Sequence, residues 1–126
     1  MANTVIYSES APKPIGPYSQ AIFRNNVLYV SGQIAINPET NEMVTGSIEA
    51  ETDQVMQNIE AILMAGKLSL ANVVKCTIFV RDLNDFARIN EVYGKYFTTN
   101  PPARETVEVS RLPKDVNVEI SCIAVA

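Results

Sequence analysis

The chain has 126 residues, 47% hydrophobic and 19% charged, which is enough apolar mass for a single domain spanning residues 1–126. Its formal net charge of -4 repels nucleic acid and anionic membrane at long range, so neither is an expected partner. Histidine is absent and there are two cysteines, which excludes the common zinc sites, Ser-His and Cys-His nucleophile pairs and histidine acid-base catalysis.

Met1-Ala2-Asn3-Thr4-Val5 carries no basic stretch followed by an apolar run. No segment approaches the roughly 18–20 apolar residues of a membrane helix, so the expectation is a soluble, untargeted, cytoplasmic protein. Strands are expected near the N-terminus and from about residue 19 to 24, on either side of a loop at Ala11-Pro12-Lys13-Pro14-Ile15-Gly16-Pro17. Leu28, Val30, Gly32 and Ile34 then alternate on one parity of a third strand. Thr52, Val55, Met56, Ile59, Ile62 and Leu63 recur at helical spacing, ended by Gly66.

Val74, Cys76, Ile78 and Val80 alternate as the next strand. Phe86, Ile89, Val92, Tyr93, Tyr96 and Phe97 mark a second amphipathic helix, with Asp82 or Asn84 as N-cap. After the Thr99-Asn100-Pro101-Pro102 loop, Val107 and Val109, then Val116, Val118, Ile120, Cys122 and Ala124, define two strands that hide one face.

Five or six strands with only two helices predict an α+β domain whose helices cover one face of the sheet. The opposite parities place Ser31, Arg104, Thr106, Glu108, Asn117, Glu119 and Ser121 on the bare face, among Tyr29, Phe79, Ile123 and Val125. Such a face is too apolar to stay simply wet. Closed symmetric assembly is the common remedy, so a homo-oligomer with polar clefts between protomers is expected. Cys76 and Cys122 fall on the covered parity, as small buried hydrophobes without a catalytic role.

Chemistry must then fall to carboxylates, hydroxyls, Arg, Lys or backbone groups. Arg104, at a strand start after Pro101-Pro102-Ala103, offers a planar fork suited to a carboxylate, though by pattern it fits a surface or interface ion pair as well. Glu119 sits mid-strand, where a carboxylate needs a partner or a function; an intersubunit salt bridge and an acid-base role both satisfy that. Gly16 and Gly32 permit close backbone approach beside the Tyr18 and Ser31 hydroxyls, which as physics says only turn and bulge. No glycine-rich phosphate loop is present, so no cofactor is implied, and no metal.

Taken in order, Gly16-Pro17-Tyr18-Ser19-Gln20-Ala21, Ser31-Gly32-Gln33-Ile34, Asp82-Leu83-Asn84-Asp85-Phe86, Pro102-Ala103-Arg104, Val107 through Val116 with Arg111-Leu112-Pro113-Lys114-Asp115, and Val118-Glu119-Ile120 resemble the signatures of the Rid (reactive intermediate/imine deaminase) family. The resemblance spans nearly the whole chain. It implies a chorismate-mutase-like fold, a mixed six-stranded sheet backed by two helices, assembled as a homotrimer with active sites in the intersubunit clefts. It also implies a deaminase that hydrolyses enamine or imine carboxylates, such as 2-aminoacrylate, 2-iminopropanoate or 2-iminobutanoate, to 2-keto acids and ammonia.

By that resemblance Arg104 clamps the substrate carboxylate and Glu119 handles water and proton transfer, with Tyr18 walling the pocket and Ser31 and Gly32 adding polar and backbone contacts. Many family deaminases read Pro-Ala-Arg, then Ser or Thr, then Cys, where this chain has Glu105 and Thr106. Thr106 suits a position acting through its backbone carbonyl and argues against thiol chemistry. Strand alternation is expected to send Glu105 toward the helix-covered side, away from Arg104. Relatives on the same fold act as regulators, stress chaperones or ribonucleases, so a non-catalytic binder or chaperone is the alternative; the acidic charge disfavours RNA cleavage.

Overall fold

The alternating segments become six strands in a computed structural model that describes residues 2–126. They are β1 (Thr4–Ile6), β2 (Ala21–Arg24), β3 (Val27–Gln33), β4 (Val73–Val80), β5 (Ala103–Glu108) and β6 (Val118–Val125). Helix α1 (Ile48–Ala65) lies between β3 and β4, and α2 (Phe86–Tyr96) between β4 and β5. The strands form one mixed sheet in the order β1-β2-β3-β6-β4-β5. Only β4 and β5 pair in parallel, which requires a crossover, and α2 supplies it. Asn25 and Asn26, with φ of 52° and 66°, make the tight β2–β3 hairpin turn, a left-handed pair that Asn tolerates.

Helix α1 starts where the Ser47 side chain accepts the Ala50 N–H at 3.0 Å and stops where the Gly66 N–H donates to the Ile62 and Leu63 carbonyls. Its apolar stripe of Val55, Met56, Ile59, Ile62 and Leu63 is buried with Ile89 and Tyr93 of α2 against Leu28, Val30, Cys76, Ile78, Ile120 and Cys122 of the sheet. Both cysteines are therefore buried free thiols, as their parity predicts. Burial raises Cys76 and pushes Cys122 up to about 12, which keeps them protonated and inert. Asp82 caps a single 3-10 turn at Leu83–Asp85 by accepting the Asn84 N–H at 2.9 Å, so it starts the turn that leads into α2 rather than α2 itself.

Two register shifts break the simple alternation. One, between Val73 and Lys75, buries Val73 and turns Val74 outward, so Val74 does not share the face of Cys76. The other is in β3: Val30 pairs with Cys122 and Gln33 with Ile120, leaving Ser31 and Gly32 opposite the single residue Ser121. This bulge swaps the parity that follows it. Gly32 and Ile34 leave the face of Leu28 and Val30, and Gln33 is buried in their place.

Strand β5 also corrects the expected faces. Its register sets Arg104 beside Cys76 and Thr106 beside Ile78, whose side chains point to the helices, and Glu105 beside Thr77 and Val107 beside Phe79 on the bare face. Residues side by side in a ladder share a face. Arg104, Thr106 and Glu108 thus lie on the helix side, and Glu105 and the Val107–Val109 parity on the bare side. The apolar parity misled because β5 is an edge strand, whose inner side meets α2 through Phe86 and Tyr93 and can therefore hold polar side chains. Asn117 likewise turns to the helix layer, its N–H and Nδ2 donating to Glu51 of α1 at 2.8 and 2.9 Å.

Tyr29, Phe79, Glu119, Ser121 and Ile123 remain on the bare face, with Tyr29 directly beside Ile123. One end of that face is covered by a second cluster, Ile34, Ile36, Leu112 and Val116, packed with Met43, Phe79 and Val109. Among the described residues, no helix is long and apolar enough to cross a membrane. The buried Asn58 of α1 holds the covering segment, donating from Nδ2 to the Ile34 and Ile36 carbonyls at 3.1 and 3.0 Å. Asn58→Ala leaves the Ile36 carbonyl without its side-chain donor and the Ile34 carbonyl with the Ile36 N–H alone, so it is expected to lower stability by about 1–3 kcal/mol. Urea denaturation reads this as an earlier midpoint with an unchanged slope.

Candidate functional site

The surplus residue in β3 brings its backbone against Glu119. A Cβ on Gly32 would stand 2.8 Å from Glu119 Cδ and Oε2, closer than side chains are found, so the approach requires glycine. Ser31, the other bulge residue, donates from Oγ to the Ser19 carbonyl at 2.6 Å and from its N–H to the Gln20 carbonyl at 2.9 Å. Gln33 Nε2 donates to the Ser31 carbonyl at 3.2 Å from beneath.

Gln20 fixes the facing loop. Fully buried, it accepts the Ser8 N–H at 2.7 Å and donates to the Ser8 and Pro12 carbonyls at 3.1 and 2.9 Å. The proline-rich stretch anchored this way carries Ile15 and Tyr18 over the bulge, with the Tyr18 hydroxyl accepting the Ile15 N–H at 3.2 Å. On the other side Lys114 and Asp115 both adopt left-handed φ of 55°, a pair of non-glycine residues held by Arg111 Nε on Asp115 Oδ1 at 2.8 Å and by Arg81 on the Asp115 carbonyl. That turn presents Pro113.

The result is a cleft of about 320 Å³ lined by Ile15, Tyr18, Ser31, Gly32, Ile34, Pro113 and Glu119. Glu119 is half-buried, and burial alone raises its pKa above the ordinary 4.5. A carboxyl with raised proton affinity, walled by Ile, Pro and Tyr, holds a proton more readily than an exposed glutamate and can still give it up.

Of the residues singled out by sequence, Glu119, Tyr18, Ser31 and Gly32 meet in this cleft, whereas Arg104 and Thr106 do not line it. They sit on β5, beyond β4 from Glu119 and on the opposite side of the sheet. The Arg104 guanidinium lies over the Tyr93 ring, 4.9 Å from its centroid, and 5.6 Å from that of Phe86. Thr106 Oγ1 is buried without a partner among the described residues.

Glu105 faces away from Arg104, but onto the bare side rather than the covered one, where it accepts from Thr77 Oγ1 at 2.7 Å and pairs with Lys75 Nζ at 3.0 Å. Those two contacts hold its carboxyl below the ordinary range. Sequence reasoning missed Ile15, Ile34 and Pro113 as walls, and Gln20 and Gln33 as buried amides that shape the cleft. The two glutamines at strand ends, one before Ala21 and one before Ile34, were the available signal.

The endoribonuclease L-PSP family model matches residues 8–126. A RutC family protein of Pyrococcus horikoshii is 58% identical over 120 residues, 95% of each chain. The chloroplastic Reactive Intermediate Deaminase A of Arabidopsis thaliana is 46% identical over 120 residues, covering 95% of this chain and 64% of that one. A solved structure of a Rid-family protein from Yersinia pestis superposes with a TM-score of 0.97 at 48% identity, over 99% of this chain and 100% of that one.

The contact between Gly32 and Glu119 gives a direct test. Carbon-13 titration of the Glu119 carboxyl is expected to show a midpoint above 4.5. Gly32→Ala drives the carboxylate toward solvent, so its midpoint should fall back to the ordinary value while the amide spectrum of the core stays in place.

Proposed function

The chain belongs to the family of the endoribonuclease L-PSP model, the Rid family, and on that premise we propose that it hydrolyses 2-imino acids to 2-keto acids and ammonia, without a cofactor. The observation that carries the proposal is Glu119, a carboxyl raised by burial and set against the Gly32 backbone in an apolar-walled cleft. Substrates of this reading are 2-iminopropanoate and 2-iminobutanoate, with enamines such as 2-aminoacrylate entering as their imine tautomers.

Hydrolysis needs three things from the protein. The substrate carboxylate must be held, a water must be deprotonated as it attacks the protonated C=N carbon, and the resulting amine must be protonated so that the C–N bond can break. Glu119 takes one proton from the attacking water, giving a carbinolamine, and delivers it to the nitrogen; as the C–N bond breaks and ammonia leaves, the remaining hydroxyl gives its proton back to Glu119 and the carbon becomes the keto group. Its raised proton affinity makes it a better base than an exposed glutamate, and its half-burial keeps a returned proton local. Tyr18 walls the pocket, and Ser31 and Gly32 offer polar and backbone contacts to the substrate.

Arg104 is the carboxylate clamp of this reading, with Thr106 beside it. Within one protomer it lies across the sheet from Glu119, so the proposal includes a homotrimer in which the β5 edge of one copy closes the cleft of the next. The exposed apolar side chains of the bare face, Tyr29 at 51%, Val107 at 42% and Val125 at 38%, support such burial by a second copy. A cytoplasmic location is part of the same proposal.

The test couples an amino-acid oxidase or a threonine dehydratase to semicarbazide trapping. The protein is expected to lower semicarbazone yield by consuming the imine first, and Arg104→Ala to reduce kcat/KM by about 10- to 100-fold. No effect of the wild-type protein, or an equal effect of Arg104→Ala, sinks the proposal.

The pH profile provides a second check. As a base Glu119 must be ionised, so the rate rises with pH through its raised pKa, and the acid limb should lie above 4.5. Glu119→Gln is expected to cost about 10²–10⁴-fold and to abolish that limb; a ligand-binding protein would keep its affinity in this variant.

A further inference from the structure

The geometry points to Phe86 and Tyr93 as positioning residues that hold Arg104 ready for an incoming carboxylate, an assignment that rests on the deaminase reading. The guanidinium lies over both rings, 4.9 Å from the Tyr93 centroid and 5.6 Å from that of Phe86. A ring face attracts a cation through its quadrupole, yet it occupies none of the in-plane N–H fork. A carboxylate neighbour would orient the side chain equally well, but by consuming the donors and the charge that a substrate needs.

The ion-paired arginines show the contrast. Arg88 is spent on Glu49 and Asp85, and Arg111 on Asp115, whereas Arg104 makes no ion pair among the described residues. Its sequence neighbour Glu105 is held on the opposite face by Thr77 and Lys75. Arg104 is thus directed without being neutralised.

The rings are themselves held in register with β5. Phe86 and Tyr93 are seven residues apart in α2, hence on one stripe of the helix. Glu108, on the same side of β5 as Arg104, accepts the Leu83 N–H at 2.9 Å and ties the turn that opens α2 to the strand. The Asp82-Leu83-Asn84-Asp85-Phe86 run, which no catalytic step uses, acquires a role in this way: it sets the ring under the clamp.

A Phe86→Leu variant tests this, since Phe86 is 41% exposed and its loss leaves the core intact. KM for 2-iminobutanoate is expected to rise about 3- to 10-fold at unchanged kcat, and Phe86→Tyr, which restores a ring, to return it to the wild-type value. Independently of turnover, the Arg104 Nε–H resonance, assigned by its disappearance in Arg104→Lys, should sit upfield through ring-current shielding and move to the solvent position in Phe86→Leu. A solvent-position resonance in the wild-type protein, or a wild-type KM in Phe86→Leu beside a raised KM in Arg104→Ala, overturns the assignment. Absence of turnover from wild-type protein with the upfield resonance present removes the deaminase reading and supports only the holding of Arg104 by the two rings.

Discussion

One surplus residue in β3 governs the cleft. Val30 and Gln33 both pair with β6, and the two residues between them occupy the space of one, so the backbone swells toward the bare face at Gly32. There it meets Glu119, which a Cβ would strike at 2.8 Å. The same bulge reverses the parity of everything that follows, burying Gln33 and sending Ile34 into the cleft wall.

Helix α1, whose apolar stripe packs on the sheet, also holds the loops beside the cleft through polar contacts. Asn58 holds the Ile34 and Ile36 carbonyls, and Glu51 takes both nitrogens of Asn117, two residues before Glu119. Both side chains are buried, so each unmade hydrogen bond would be costly, and the two loops flanking the cleft are located by that cost. Gln20 does the same for the segment that carries Ile15 and Tyr18. Strands supply Ser31, Gly32 and Glu119, and loops supply the rest of the wall, each fixed by a side chain that bonds to its backbone.

Arg104 obeys a different constraint. On an edge strand its parity is set by the parallel ladder with β4, which turns it under α2 and turns Glu105 to the other face. An acidic neighbour in sequence is therefore no neighbour in space: Glu105 is occupied by Thr77 and Lys75 while the guanidinium rests on two rings. The separation of Arg104 from Glu119 within one protomer is what makes assembly part of the proposed chemistry rather than an addition to it.

Local pattern determined the element types, the two helices on one face and the buried cysteines, because hydrophobic period and turn chemistry are properties of short segments; Tyr18, Ser31, Gly32 and Glu119 stood out as a set only through the resemblance to the Rid family. It failed for Val74, for Gly32 and Ile34 as members of the Leu28 parity, for Asn117, and for Arg104 to Glu108 of β5. Each failure has one cause: the face a strand residue occupies depends on pairing with strands distant in sequence, and a single bulge or an edge position inverts it. The sequence by itself determined which residues are present to do chemistry; only the tertiary structure, through register, decided which of them share a cleft and which lie on the other side of the sheet.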